Sequence, residues 1–462
     1  MANVTLIRPS DLLQTTSLQT LRGTYFIQTW GCQMNEEDSE QLALYLQKIG
    51  FKPIQNFREA HLVLLNTCSV RKKPEDKAFS FLGELAILKK KRPEMLIGVC
   101  GCMAQVKATE IRRRAPHVDF VIGTAQISTL PGILEEALQT KRFQKRLELP
   151  PRKGSTVTDI PKREVERVPK LKTFVPIEYG CDKFCTFCIV PTTRGRERSR
   201  PIPDILEEIE KLVSYGTKEV TLLGQTVNSY GKNLPEGRVL FSELLWKVAE
   251  IKGLERIRYT SPYPRDFKKD LIQTIKNCPK IMEHVHLPIQ SGDDEVLRAM
   301  RRIYTRESFS EIVKELRETI PQLSLTTDII VGFPEETEEQ FENTLEIVSK
   351  IRFDGAYMFM YSPRPDTPAA TLEQIPQSVK KDRLQRLMEL QNKISIEINE
   401  TYIDKTLEVL VEGPSPRDPN KLQGYSREYK MMHFKGPATL AGHLVHVQAK
   451  QAHIWGLEGQ IV

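Results

Sequence analysis

The sequence predicts an α/β protein in three parts: an N-terminal doubly wound parallel α/β domain, a central partial (β/α)6 barrel, and a small C-terminal β-barrel of OB-like size. Three observations predict it. From about Gly23 to Leu138, apolar strand-like runs alternate with helical patterns, the signature of a parallel sheet with helices on its faces. Six more strand–helix units follow from about Thr173 to Asn399, too few for a full eightfold barrel. The last sixty residues turn to runs that alternate apolar and polar residues, punctuated by Gly and Pro.

In the first part the strand-like runs are TYFIQTW (24–30), HLVLLN (61–66), MLIGVC (95–100) and VDFVIG (118–123). Helical patterns occupy 36–50, 74–91 and 128–140. The domain is expected over 23–140, followed by a basic linker over 141–172 that carries eleven Lys or Arg against four acids. So concentrated a positive field suits a phosphate-bearing partner, although a solvated linker would also carry it. The central domain, expected over 173–400, has strand candidates TFVPIEY (173–179), KEVTLLG (218–224), RIRYTS (256–261), HVHLPIQ (284–290), LSLTTDIIVGF (323–333) and GAYMFMYS (355–362). A six-stranded open sheet is the alternative architecture. Over 401–462, the segments 406–413, 424–434 and 443–462 read as the strands of the small barrel. Basic and aromatic residues interleave there (Lys421, Tyr425, Arg427, Tyr429, Lys430, Phe434, Lys435), as suits RNA backbone contacts and base stacking, or simply a solvated face.

The chain has 462 residues, 40% hydrophobic and 27% charged, with a net charge of +7. This composition excludes a disordered, collagenous or small disulfide-stapled protein. No apolar run approaches the ~18–20 residues of a membrane span, and MANVTLIRPSDLLQ lacks the basic and apolar regions of a secretion signal. A cytoplasmic protein with no membrane association is expected, and its cysteines then belong to metal or catalytic chemistry rather than to disulfides.

Eight cysteines stand at 32, 68, 100, 102, 181, 185, 188 and 278. The sharpest signal is Gly180-Cys181-Asp182-Lys183-Phe184-Cys185-Thr186-Phe187-Cys188, directly after the first strand of the central domain. Three thiolates so spaced can hold three corners of a four-iron cube, leaving one iron without a protein ligand. The amine and carboxylate of S-adenosylmethionine could chelate that iron, and an electron passed into the sulfonium would release a 5′-deoxyadenosyl radical. Zinc would want a fourth Cys or His nearby, and the nearest histidines, His117 and His284, are distant in sequence. Cys32, Cys68 and Cys102 follow three predicted strands, and in a parallel sheet those carboxyl ends converge on the ligand-binding edge. They suggest a second cluster with an open iron. Cys100 and Cys102 cannot be told apart at this point, and buried core cysteines are the plain alternative. Cys278 reads as structural.

These residues resemble the radical S-adenosylmethionine methylthiotransferase family, specifically its tRNA-modifying branch. The likeness runs from Thr24 to the C-terminus. It rests on Gly31-Cys32-Gln33-Met34-Asn35, Asn66-Thr67-Cys68-Ser69-Val70-Arg71, Gly101-Cys102-Met103-Ala104-Gln105, Gly180 to Cys188, Thr193 to Arg200, His286 to Gly292 and Thr327 to Pro334. Gln33-Met34-Asn35 is what favours the tRNA branch, since the branch acting on ribosomal protein is expected to read Pro-Lys-Asn there. The resemblance implies that Cys181, Cys185 and Cys188 bind the radical-generating 4Fe-4S cluster. It likewise implies that Cys32, Cys68 and Cys102, rather than Cys100, bind an auxiliary 4Fe-4S cluster that carries or donates sulfur, and that the C-terminal barrel is a tRNA-binding TRAM domain.

The implied reaction adds a methylthio group to carbon 2 of N6-isopentenyladenosine next to the anticodon. One S-adenosylmethionine would methylate sulfur and a second would yield the radical that takes the hydrogen, because an aromatic C–H is too weak an acid for a general base. A reductive electron donor such as flavodoxin or ferredoxin, and a monomeric enzyme, are expected on the same footing. Barrel logic places S-adenosylmethionine contacts at strand ends, nominating Gly224, Gln225, Ser261, Gln290 and Phe333. Tyr263 and Asp366 depart from the His and Gly usual in the family, and neither is expected to bear on the cluster. Tyr425 and Tyr429 replace the usual Arg and Asn, so stacking on RNA is expected there. The alternatives are the same chemistry on a ribosomal protein side chain, or a non-catalytic RNA-binding metalloprotein.

Overall fold

The computed structural model describes residues 22–69, 72–140, 146–148 and 170–462. Strands β1 (Gly23–Trp30), β2 (Phe51–Pro53), β3 (Leu62–Thr67), β4 (Leu96–Cys100), β5 (Phe120–Ile122) and β6 (Arg146–Glu148) form one parallel sheet in the order β2-β1-β3-β4-β5-β6. The alternation of β3 decides which helix covers which face. Val63 and Leu65 pack under α2 (Lys72–Lys91) and α3 (Cys102–Arg114), while Leu62 and Leu64 pack under α1 (Gln33–Lys48) and α4 (Leu130–Thr140). The sheet is therefore wound on both sides, and its strand order reverses between β1 and β3, the point at which such folds bind ligands. β6 lies within the stretch read as linker, so part of that stretch belongs to the sheet. The rest of it, 141–145 and 149–169, lies outside the described residues, as does the N-terminal segment read for a signal.

The central domain contributes β7 (Lys172–Pro176), β8 (Glu178–Tyr179), α5 (Val190–Arg194), β9 (Arg198–Ser199), α6 (Ile202–Ser214), β10 (Glu219–Leu223), α7 (Phe241–Ala249), β11 (Arg256–Tyr259), α8 (Lys269–Asn277), β12 (His284–His286), α9 (Asp294–Ala299), α10 (Arg306–Thr319), β13 (Ser324–Val331), α11 (Glu338–Ile351), β14 (Gly355–Met360) and α12 (Gln377–Glu400). Six of these strands make two parallel triplets, β7-β10-β11 and β12-β13-β14, joined by a parallel bridge from Ile257 to Ile281. Among the described residues no pairing closes β14 onto β7, so this is a partial barrel. The run TFVPIEY, expected as one strand, breaks after Pro176, and β8 turns away to pair with β9. That turn aims the cysteine loop at the barrel mouth. One continuous core, with Val175, Val220, Ile257, Val285, Leu325 and Ile329 at its centre, fills the space between strands and helices, and Cys278 is buried within it as expected of a structural residue.

Strands β15 (Thr406–Pro414), β16 (Leu422–Ser426), β17 (Met431–Phe434), β18 (Leu444–His453) and β19 (Gly456–Ile461) close in the order β15-β16-β17-β19-β18 around Val409, Val411, Met432, Phe434, Val447 and Leu457. This small barrel seats on the amino-terminal ends of β10, β11 and β12. Arg256, 1% exposed, donates to the carbonyls of Tyr425 (2.9 Å) and Glu408 (3.0 Å) and to the Glu408 carboxylate (2.8 Å). Arg258 donates to the carbonyls of Ser426 and Arg427, and Arg427 makes a forked pair with Glu283 at 2.8 Å. The Tyr429 ring stacks between His284 and Tyr425 at 4.5 Å on each side.

Two outcomes follow from this seam. Arg256→Ala leaves two seam carbonyls and the partly exposed Glu408 carboxylate without their donor, and urea unfolding should register a loss of about 1–3 kcal/mol. Burial, helped by the charge of Arg258, holds the His284 imidazole well below its ordinary range. The folded chain thus keeps His284 neutral, whereas the unfolded chain protonates it below about pH 6.5. Stability should therefore fall as pH drops through that value, and His284→Gln should flatten the part of the slope due to this group.

Candidate functional site

Because β1, β3 and β4 are adjacent and parallel, Cys32, Cys68 and Cys102 emerge at one edge of the sheet. The turns that carry them are locked together. The Cys68 N–H donates to the Trp30 carbonyl at 2.8 Å. Asn35 accepts the Cys32 N–H and donates to Asn66, which in turn donates to the Asn35 carbonyl and to Ser39. Gly101, at φ +89°, lies so close to β3 that a Cβ would come within 2.3 Å of the Asn66 side chain. Only glycine passes there, and the next residue, Cys102, opens α3. Cys32 caps α1, so two of the three sulfurs stand at positive helix ends. A hydrogen bond from Cys68, opposed by burial and aided by the charge of Arg194, brings the Cys32 thiol down to about 5. Burial raises Cys102, with Arg194 pulling the other way. Cys100 points to the opposite face, among Tyr25, Leu42 and Phe120, where burial pushes it up to about 12.

The second trio follows β8. Gly180, at φ +80°, presses against the chain after α5, where a Cβ would meet the Arg196 carbonyl at 2.1 Å. The Gly180 N–H bonds to the Gln225 side chain, and the Cys181 N–H to the Gly195 carbonyl at 3.2 Å. Thr186 in mid-loop is tied to the carbonyls of Ala299 and Met300. The Lys183 N–H reaches the Cys181 sulfur at 3.5 Å, and the Arg302 guanidinium reaches the Cys185 sulfur at 3.4 Å. Burial raises Cys181 to about 11 and Cys188 to about 12, so both remain thiols until a metal takes the place of the proton. Among the described residues no three of His, Cys, Asp and Glu are gathered closely enough to hold a single ion. A four-iron cube sets each thiolate on a different iron, and soft sulfurs with N–H groups aimed at them suit such a cluster.

The predicted barrel residues fall into two groups. Gly224 is needed because a Cβ would strike the Glu178 side chain at 2.6 Å, and Gln225 anchors the cysteine loop. Phe333 is fully buried, packing edge-on to Tyr361 in the small core that also supports Phe187. Ser261 (φ +60°) and Gln290 (φ +72°) adopt left-handed backbone just past β11 and β12. Such conformations cost about 1–3 kcal/mol and gather at functional sites. Reading the residues missed a buried acid pair beside the loop: Glu178 accepts from the Thr226 N–H at 2.8 Å, and burial next to Glu197 raises it well above the carboxylate range. It also missed a polar file on the opposite faces of β12 and β13 from their core side chains. His284 and His286 both bond Thr326 (2.9 and 3.0 Å), and His286 lies 3.5 Å from Asp328. The period-two histidines of HVHLPIQ, in a strand otherwise apolar, were the available signal.

Two family models match, the Radical SAM superfamily over residues 175–348 and Uncharacterized protein family UPF0004 over 24–123. A tRNA-2-methylthio-N(6)-dimethylallyladenosine synthase from Moorella thermoacetica is 48% identical over 444 residues, 96% of this chain and 99% of that one. Enzymes of the same name from Carboxydothermus hydrogenoformans (47%, covering 95% and 99%) and Bacillus subtilis (45%, covering 95% and 86%) align over nearly the same length. The chain belongs to the tRNA-2-methylthio-N(6)-dimethylallyladenosine synthase family. It is a radical S-adenosylmethionine enzyme, and its cofactors are S-adenosylmethionine and 4Fe-4S clusters. Among solved structures, the radical S-adenosylmethionine methyltransferase TsrM from Kitasatospora setae shares the fold at TM-score 0.55 and 14% identity, covering 75% of each chain.

In this family member two expectations are corrected. The interleaved residues of the C-terminal barrel do not form an open RNA face. Tyr425, Arg427, Tyr429 and Lys430 are spent on the seam with the central domain, Phe434 lies in the barrel core, and Lys421 pairs with Glu458 at 2.7 Å. Only Lys435 of that set is exposed. Tyr429 stacks between His284 and Tyr425, and the Tyr425 ring carries the Lys172 ammonium at 4.8 Å, so neither ring is free to take a base. Tyr263 does bear on the cysteine loop, since its ring supports Lys183 at 4.7 Å and Arg302 at 4.5 Å. At the other departure, Asp366 sits at φ +62°, which accounts for the usual glycine. No helix among the described residues is long and apolar enough to cross a membrane.

Iron and sulfide analysis after anaerobic reconstitution checks the assignment of the trios. Replacing Cys32, Cys68 and Cys102 by alanine, or Cys181, Cys185 and Cys188, should each halve the iron bound. Cys100→Ala should leave it unchanged.

Proposed function

We propose that this chain methylthiolates carbon 2 of the N6-isopentenyl adenine beside the anticodon of tRNA, and that the six cysteines do so in two sets. Cys181, Cys185 and Cys188 would hold the radical-generating 4Fe-4S cluster, and Cys32, Cys68 and Cys102 the auxiliary one. One observation carries the reading: α5 starts two residues after Cys188 and ends in Arg194, whose charge acts on Cys32 and Cys102. The two thiol sets therefore open onto the same seam, where one bound base could meet both.

When bound, the clusters and S-adenosylmethionine supply one-electron chemistry and the sulfur. The chain's own residues orient and enclose. Arg302 and the Lys183 N–H stabilise negative charge on the Cys185 and Cys181 sulfurs. Gln225 fixes the start of the loop, and the Glu178–Glu197 pair keeps a proton beside it. Gly224, Ser261 and Gln290 line the strand ends expected to face S-adenosylmethionine, while Phe333 packs behind the cysteine loop against Phe187. His286 and Asp328 offer polar groups to a base in the barrel. The functional division follows 23–140, 141–172, 173–400 and 401–462, with the last segment a TRAM domain. We further infer a cytoplasmic monomer that draws electrons from a flavodoxin- or ferredoxin-type donor.

Mass spectrometry of tRNA nucleosides from a strain lacking the gene tests substrate and reaction together. The 2-methylthio nucleoside should vanish and N6-isopentenyladenosine should accumulate in its place. Undiminished 2-methylthio nucleoside, or loss of a methylthio group from a ribosomal protein instead, overturns the assignment.

A further inference from the structure

The guanidinium of Arg194 crosses from the central domain into the N-terminal one. Its side chain is 5% exposed and pairs at 2.7 Å with Asp38, 4% exposed, on α1. Helix α5, which ends in Arg194, packs on α3, which Cys102 opens, and the Arg194 charge acts against burial at the Cys102 thiol. The neighbouring backbone holds it there, since the Thr124 hydroxyl donates to the Thr193 carbonyl at 2.7 Å. A second arginine, Arg364 after β14, approaches the trio from the Cys68 side and lies 3.5 Å from Glu75 on α2. Glu75 also accepts Lys107 of α3 at 3.0 Å, and Glu37 adds a further carboxylate near Asp38. Both arginines thus come from the central domain, and both of their acid partners lie on helices of the N-terminal domain.

We propose that Arg194 is a positioning residue that raises the reduction potential of the cluster held by Cys32, Cys68 and Cys102, and that Asp38 limits the rise. This rests on the reading of those cysteines as cluster ligands. Cluster potentials follow net charge among other factors, and charge is what Arg194 supplies here. A buried cation favours the reduced, more negative cluster. The guanidinium is charged at every working pH, and its planar fork fits the Asp38 carboxylate better than an ammonium would. Since the cation is supplied by the other domain, the auxiliary site reaches its working potential only while the two domains are packed together.

The test uses the full-length chain carrying Cys181, Cys185 and Cys188→Ala, so that only the auxiliary cluster is loaded, titrated redox-metrically with detection by electron paramagnetic resonance. Arg194→Gln should lower the reduction equilibrium about tenfold, some 59 mV for one electron. Arg194→Lys should recover part of the shift, and Asp38→Asn should move the potential upward. A merely structural pair would not give opposite signs, because breaking it from either side would have the same effect. Unchanged potentials, or shifts of one sign in Arg194→Gln and Asp38→Asn, overturn the proposal. If Arg194→Gln does not take up iron, Asp38→Asn alone decides, since it keeps the guanidinium. A parent with no four-iron signal would instead refute the ligand assignment, a distinct result.

Discussion

Burying thiols is the constraint on which the rest of this structure turns. A thiolate out of water needs a cation, a donor or a metal beside it, and otherwise stays protonated. The fold meets this demand locally at each trio. Helix ends and Arg194 face Cys32 and Cys102, and Arg302 with the Lys183 N–H face Cys185 and Cys181. Burial still outweighs those partners at Cys181 and Cys188, which stay protonated like Cys100 in the apolar core. What sets the two trios apart from Cys100 is their place on loops at strand ends, each with donors or cations aimed at it.

The same economy organises the domain seams. Arginine crosses both of them, Arg194 and Arg364 toward the N-terminal sheet and Arg256 and Arg258 toward the C-terminal barrel. A guanidinium offers five donors in a fixed plane, so one side chain can satisfy several carbonyls and a carboxylate at a seam from which water is excluded. The small barrel consequently covers the amino-terminal ends of the central strands, and the loop from Gly180 to Cys188 lies at the opposite end, where strands of parallel barrels present their functional loops.

Much of this was legible in the residues. The loop from Gly180 to Cys188 is local, so spacing alone described it. The N-terminal trio needed one further step, because parallel strands bring their carboxyl ends together whatever lies between them. Less local features escaped. Period-two alternation marks which side of a strand differs, but not whether that side meets water or another domain, and this is why Tyr425, Arg427 and Tyr429 read as an RNA face. Strand β6, three residues long, is held by pairing to β5 rather than by any pattern of its own. Phe333 ends a strand and so read as a mouth residue, yet its ring turns back into the core beside Tyr361. Arg194 was visible only as part of a motif, since its partners Asp38 and Cys102 are far away in sequence.

The account's central claim is that the loop after β8 builds the reductive half of the chemistry. Its most direct test is the yield of 5′-deoxyadenosine from S-adenosylmethionine under a strong reductant, comparing the reconstituted chain with one carrying Cys181, Cys185 and Cys188→Ala. The account predicts steady formation by the former and none by the latter. Equal yields from both would contradict it.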